Sequence, residues 1–390
     1  MYNPTDFQDI APFDDSEFKE KMAQLVVEPG FEHAVRYVMP DVDFPEFVKN
    51  LLAIPNKESF QINVMRPFLE LLEKQTTAGV TMTQFSRLDR EVSYTYISNH
   101  RDIVLDASFL NLALIRNRMK TSEVAIGNNL LIMEWITDLV KLNKSFIVKR
   151  NLGIKQALEA ARQLSAYIHY AITQKGESVW IAQREGRAKD SNDVTQDSLI
   201  KMMSLAGGGS IIENLKQINL CPVSISYEYD PNDYLKAREF LLKKRDPAFK
   251  KSQRDDLFSM ETGILGYKGK VNFEIGGCIN GELDKIDPSL DKAETIRKVC
   301  DVIDCEIHGG YQIFPVNYIA YDRVNNSEEY VKRYTPEDVK RFEEYVEAQV
   351  ARVEIDDPSE EDLAFMRDKM YQMYANPLKN KLKAIGCDVK

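Results

Sequence analysis

The chain has 390 residues, 51 of them basic and 61 acidic, for a net charge of −10. Polyanion binders usually carry basic surfaces, so this balance argues against nucleic acid as a partner. Five cysteines with no CxxC pair argue against a zinc site or a disulfide framework, and for a reducing compartment.

The opening stretch, "MYNPTDFQDIAPFDDSEF", is acidic and lacks the apolar run of a signal peptide. No window reaches 18 apolar residues, so no membrane span is expected. The chain reads as cytoplasmic, with peripheral contact at the inner face of a membrane left open. Residues 15 to 75 carry apolar side chains at helical spacing, and Pro67 is expected to kink the second helical run. "TTAGVT" breaks that pattern. From about residue 90 strand and helix patterns alternate. "VSYTYIS", "EVAIG", "SFIVK", "SVWIAQ", "LCPVSISYEY" and "GYKGKVNFEIGG" read as strands. "VLDASFLNLALIRNRM", residues 130 to 140, "IKQALEAARQLSAYIHYAI" and "DVTQDSLIKMMSLA" read as helices. That alternation predicts a mainly parallel sheet with right-handed crossovers. From about residue 327 the chain returns to helices whose mixed charges read as solvated faces. The expected class is α/β: a helical N-terminal domain at 1–85, an α/β domain with a mainly parallel sheet at 86–325, and a helical C-terminal extension at 326–390.

Ligands of open α/β sheets bind at the carboxyl ends of the strands. Four stretches fall there: "NHRDIVLD", "VKRN", "REGRAKD" and "SYEYDP". His100 directly follows the first strand pattern. A histidine so placed can act as a general base if a carboxylate fixes its tautomer, and Asp102 and Asp106 are both near enough. The alternative is a turn histidine whose aspartates cap the next helix. Lys149, Arg150, Arg184, Arg187 and Lys189 follow two other strands and can converge on an anion, or simply face water. Residues 141 to 155 hold five cations and no acid, a segregation that favours the anion site on an acidic chain. Gly186 permits a sharp turn there. "GGGS" at 207–210 follows a helix and lacks a Lys-Ser/Thr ending, so it reads as a connection and not as a phosphate loop.

In order, the four stretches resemble the sequence blocks of the glycerolipid acyltransferases, the superfamily of glycerol-3-phosphate and 1-acylglycerol-3-phosphate acyltransferases. "SNHRDIVLD" resembles its His-x4-Asp block, "SFIVKRN" its apolar strand ending in basic residues, "REGRAKD" its Glu-Gly-x-Arg block, and "LCPVSISYE" its Pro-Val strand. Two departures stand out. Five residues, not four, separate His100 from Asp106, and no residue separates Gly186 from Arg187.

The resemblance implies transfer of a fatty acyl group to a hydroxyl of glycerol 3-phosphate or a lysophospholipid, in phospholipid biosynthesis. The donor would be an acyl-coenzyme A or acyl-acyl carrier protein thioester, with no other cofactor and no metal. His100 would be the base, with Asp106, or failing that Asp102, as its partner. Lys149, Arg150, Arg187 and Lys189 would hold the acceptor phosphate, Glu185 and Gly186 would shape that loop, and Pro222 and Val223 would line the floor or acyl groove. The altered blocks leave two alternatives: a non-phosphate acceptor, or an inactive relative that binds lipid or acyl carrier. Residues 236 to 254 carry eight cations against two acids and are expected to dock an anionic donor or a membrane surface.

Overall fold

The computed structural model describes residues 2–386, so Cys387 lies outside the described residues. Helices α1 (Asp15–Leu25), α2 (Pro29–Val38) and α3 (Phe44–Leu52) open the chain. Each is preceded by an acidic residue, Asp14, Glu28 and Asp43, at the end where N–H groups are left unpaired: Asp14 N donates to Glu17, and Asp43 accepts from Glu46 N. Their apolar faces close one cluster around Phe18, Met22, Phe31, Phe44 and Leu51. Pro67 is the second residue of α4 (Arg66–Thr76), which continues a helical run without a break in its dihedrals. The pitch changes just before it, in a π-helical turn at Gln61–Met65.

Seven strands form one sheet: β1 (Val80–Thr83), β2 (Thr95–Ser98), β3 (Glu123–Gly127), β4 (Ser145–Val148), β5 (Val179–Ala182), β6 (Leu220–Tyr227) and β7 (Val271–Ile275). Their order is β1-β7-β6-β2-β5-β3-β4, and every pairing is parallel except β6–β7. The protein is therefore α/β, a mainly parallel central sheet flanked by helices, with a helical subdomain before it and a helical region after it. β1 falls inside the stretch expected to be helical. Its residues VTMT alternate as those of an edge strand do, Val80 and Met82 being the less exposed.

The crossovers put α5 (Leu105–Arg116) after β2, α6 (Glu134–Leu142) after β3, and α7 (Ile154–Tyr170) after β4. α8 (Asp197–Met203) and α9 (Ile211–Gln217) lie between β5 and β6. "GGGS" is the turn joining α8 to α9, with Gly209 N bonded to Asn214 Oδ1. All eight residues of β6 are buried, as a central strand covered on both faces requires. Because β2 to β6 run parallel, their carboxyl ends share one edge, and that edge carries the four sequence blocks.

β6 leads to α10 (Asp233–Arg245) and α11 (Gln253–Leu265). After β7 come α12 (Lys292–Gly309), α13 (Pro315–Asn325), α14 (Pro336–Ala351) and α15 (Glu360–Ile385). The last two helices are less solvated than their charge suggests. Phe342, Val346, Met366, Met370 and Tyr374 are buried with Ala237 and Leu241 of α10 in one cluster. Asp233 ties that face together, accepting from Tyr345 and Tyr374 at 2.7 Å and from Gln349 at 2.6 Å. Burial pushes its carboxyl up to about 6.

Candidate active site

Asn99 extends the pairing of β2 by one residue. Its side chain accepts from Ile225 N at 2.8 Å and donates to Ile225 O at 2.9 Å, as a strand backbone would. This holds the next residue, His100, at the edge of the sheet beside β6. The chain then turns and enters α5.

Asp106 stands in the first turn of α5, and its Oδ2 lies 2.8 Å from His100 Nδ1. The same oxygen accepts from Arg101 N at 2.6 Å and Asp102 N at 3.0 Å. The turn absorbs the extra residue of the first block, and Leu105, which stands where a His-x4-Asp spacing would place the carboxylate, goes into the core. Asp102 faces elsewhere: its Oδ1 accepts from Val104 N and Leu105 N, capping α5. Full burial, with the Asp106 charge beside it, pushes the Asp102 carboxyl upward. Arg101 points into the interior and pairs with Asp193 at 2.7 Å. With Nδ1 engaged by a carboxylate, the imidazole proton sits on Nδ1 and Nε2 is the basic nitrogen. The ring packs edge-on against Trp180, centroids 5.5 Å apart, and Trp180 Nε1 donates to Ser98 Oγ.

His100 opens onto a cavity of about 1220 Å³. One part of its wall is apolar, with Leu69, Ile103, Leu112, Ile115, Ile126 and Leu130. Another part carries Lys149, Arg150, Arg184, Arg187 and Lys189, joined by Lys243 and Lys251. The cations differ in their partners. Lys149 is paired with Asp9 and bonds Gln163 at 3.0 Å. Arg150 lies 3.5 Å from Glu185, and its guanidinium occupies the space a Cβ at Gly127 would fill. Lys189 is paired with Glu239, which also takes Lys243 at 2.8 Å. Arg187 alone of these four ends in a buried Nη1 with no partner among the described residues. Gly186 has φ +65° and open space where a Cβ would go, so the backbone conformation, not crowding, calls for glycine there.

Pro222 and Val223 do not line this cavity. They sit inside β6, level with Ile97 and Ser98 of β2, and Val223 is fully buried in the core. The cavity takes its strand lining from β3, β4 and β5, whereas β6 is buried along its whole length. The cationic segment at 236–254 is also different from its sequence. Lys236 pairs with Asp230, Arg238 with Asp255, Lys243 with Glu239, Lys244 with Glu361, Arg245 with Asp362 and Lys251 with Asp256. Glu361 and Asp362 come from α15, more than a hundred residues on, so no local charge count could register them. His169 and His308 lie away from the cavity, buried against Met203 O and Asp193 O. Sequence reasoning passed over Asn99, Gly127, Trp180 and Asp9. Only Asn99 had a signal, its place directly before His100.

Residues 79–226 match the family model for Acyltransferase. That span contains β1 to β5 and the first three sequence blocks, and it ends one residue short of the end of β6, within the fourth block. The match and the resemblance of the four blocks fall on the same part of the chain. No curated protein matches the chain. Among solved structures, the chain is similar to PlsC, a 1-acyl-sn-glycerophosphate (LPA) acyltransferase from Thermotoga maritima. The two share 10% identity over 73% of this chain and 95% of that one, with a TM-score of 0.36, a likeness too distant to bear on the reaction. Among the described residues, no helix is long and apolar enough to cross a membrane.

Proposed function

We propose that this chain moves a fatty acyl group from an acyl-coenzyme A or acyl-acyl carrier protein thioester to a hydroxyl of glycerol 3-phosphate or a lysophospholipid. The observation that carries this reading is the shared cavity. A histidine of a histidine–carboxylate dyad, the Arg187 loop and an apolar wall all line it. In this reading His100 Nε2 takes the proton of the acceptor hydroxyl as its oxygen attacks the thioester carbonyl. Asp106 stabilises the imidazolium. The tetrahedral intermediate collapses, the C–S bond breaks, and the leaving thiolate takes the proton back from His100. The products are the ester and the free thiol. Asp102 caps the helix that carries Asp106. Arg187 holds the acceptor phosphate, with Lys149, Arg150 and Lys189 joining it once their carboxylate partners yield. Glu185 and Gly186 shape that loop.

Contact with a membrane surface belongs to the same proposal. Beside the cavity-lining Leu131 and Leu152, the apolar side chains of Met133, Ile154 and Leu158 are exposed, Ile154 at 95%. Such apolar side chains at a mouth suit an amphipathic acceptor arriving from a lipid layer.

The carboxylate partners of Lys149, Arg150 and Lys189 favour a second reading, in which the acceptor is an unphosphorylated polar hydroxyl compound. One assay separates the two. Purified protein is given palmitoyl-coenzyme A or palmitoyl-acyl carrier protein with glycerol 3-phosphate, lysophosphatidate or monoacylglycerol, and thiol release is followed. Release that depends on a phosphorylated acceptor supports the first reading, and release with monoacylglycerol alone supports the second. Absence of release with every acceptor would leave a binding protein.

A further inference from the structure

Behind the dyad, away from the cavity, several buried polar atoms end without a partner among the described residues. They include Asp106 Oδ1, Asp102 Oδ2 and Tyr227 Oη. Tyr227 is the last residue of β6, two past the Ile225 that Asn99 clamps, so the clamp that sets His100 also sets Tyr227. Its ring is buried in the same core as Leu105, at the start of α5. Its phenol is close enough to Asp106 to feel that charge, with Asp102 and Asp230 also acting on it. A buried hydroxyl donor and a buried carboxylate oxygen, each without another partner, are costly apart and favourable together.

We propose that Tyr227 is a positioning residue for the reaction: its hydroxyl donates to Asp106 Oδ1, completing the set of donors that holds this carboxylate with Oδ2 toward His100. The inference rests on His100 being the base. Oδ2 already takes Arg101 N, Asp102 N and His100 Nδ1. A donor on Oδ1 stops the carboxylate rotating about its Cβ–Cγ bond and disperses its charge. Burial and the neighbouring carboxylates push the phenol far above its ordinary value, so it keeps its proton and remains a donor across the working pH range. The other charges near the pair are fixed by partners of their own: Asp230 by Lys236, Arg101 by Asp193, and Lys268 by backbone oxygens of Ile264 and Gly266. Arg187 also acts on Asp102 across the site.

The test is Tyr227→Phe, which removes one oxygen and keeps the ring. Without its donor the Asp106 carboxylate holds more charge, attracts the imidazolium more strongly, and raises the pH at which His100 titrates. Imidazole NMR of the full-length protein should show the His100 midpoint moving to higher pH. kcat should fall by roughly tenfold, the scale of one buried hydrogen bond, and the KM of donor and acceptor should stay within about twofold. The acid limb of the rate profile should move with the NMR midpoint. In an Asp106→Asn background the same substitution should add nothing, because its effect runs through Asp106. An unchanged His100 midpoint in folded Tyr227→Phe overturns the inference, as does a full tenfold loss in the Asp106→Asn background. The NMR measurement needs no turnover, so it stands apart from the acyltransferase reading. An inactive wild type would end that reading, while an unmoved midpoint would end this inference alone.

Discussion

In the loop after β5, Arg187 ends in a buried Nη1 with no partner among the described residues, while in the stretch 236–254 six of eight cations end on carboxylates. Both regions are basic stretches on an acidic chain. The difference lies in what packs over them. The loop faces a cavity. The α10 segment faces α11 and α15, whose acidic first turns bring Asp255, Asp256, Glu361 and Asp362 to it. A cation that a fold leaves unpaired beside a cavity is available to a ligand. A cation already on a carboxylate must first exchange partners, and exposed pairs of that kind contribute little either way.

Predictions run from the cavity, where effects are largest, to the paired surface, where they are smallest. His100→Ala should reduce thiol release by roughly a hundredfold to ten-thousandfold, the range for a general base, with circular dichroism unchanged. Asp106→Asn should cost on the order of a hundredfold, whereas Asp102→Asn should stay within about tenfold. Asp102 Oδ1 accepts from Val104 N and Leu105 N and does not reach His100, and Asn caps a helix as Asp does. The reverse order in kcat would assign the dyad to Asp102. Arg187→Ala should raise the KM of a phosphorylated acceptor by roughly tenfold to a hundredfold, since a charge-assisted contact contributes about 1.5 to 3 kcal/mol, and spare that of the acyl donor. Lys149→Ala and Lys189→Ala should have smaller effects because Asp9 and Glu239 already hold those groups.

On the paired side, reversing Lys243, Lys244, Lys250 and Lys251 to Glu should lower Tm by a few degrees, because it places Glu against Glu239, Glu361 and Asp256. Donor KM should stay within about twofold at low salt. A large rise in donor KM there would restore this segment as a donor dock. The smallest effect concerns Asp304, whose Oδ1 accepts from Thr195 N and Oγ1 and whose carboxyl burial pushes up to about 6. A carboxyl raised in the folded state contributes stability that is full below its unfolded value, near 4, and lost as pH rises through about 6. Asp304→Asn should therefore flatten the decline of Tm between pH 4 and 6, and an unaltered slope in thermal melts would remove Asp304 as its source.

Much of the fold was legible because strand and helix periods are local. β2 to β7 and several of the helices between them, α7 among them, carry their own apolar pattern, and the four blocks mark the strand ends by composition. α10 and α11 carry no such repeat. β1 is as long as β2, β4 and β5, and its alternating VTMT was passed over. The antiparallel turn of β7 against β6 depends on which sheet edge is open, which no window contains. His100, Asp106 and Arg187 were legible as residue types at strand ends. Which aspartate reaches His100 depends on how the turn at 101–104 takes up one extra residue. Likewise Pro222 and Val223 stand in a recognisable block, yet β6 is buried along its whole length and they lie off the cavity. The partners of Lys149 and Lys244 come from Asp9 and Glu361, at the two ends of the chain, beyond the reach of any charge count.

The most direct test of the account follows thiol release from palmitoyl-coenzyme A or palmitoyl-acyl carrier protein, whichever the wild type uses, with lysophosphatidate and with monoacylglycerol, for wild type and Arg187→Ala. The account predicts that wild type prefers the phosphorylated acceptor by at least about tenfold in kcat/KM, the value of one charge-assisted contact, and that Arg187→Ala loses most of that preference while still turning over. Equal use of both acceptors by wild type, or a preference that survives in Arg187→Ala, would contradict it.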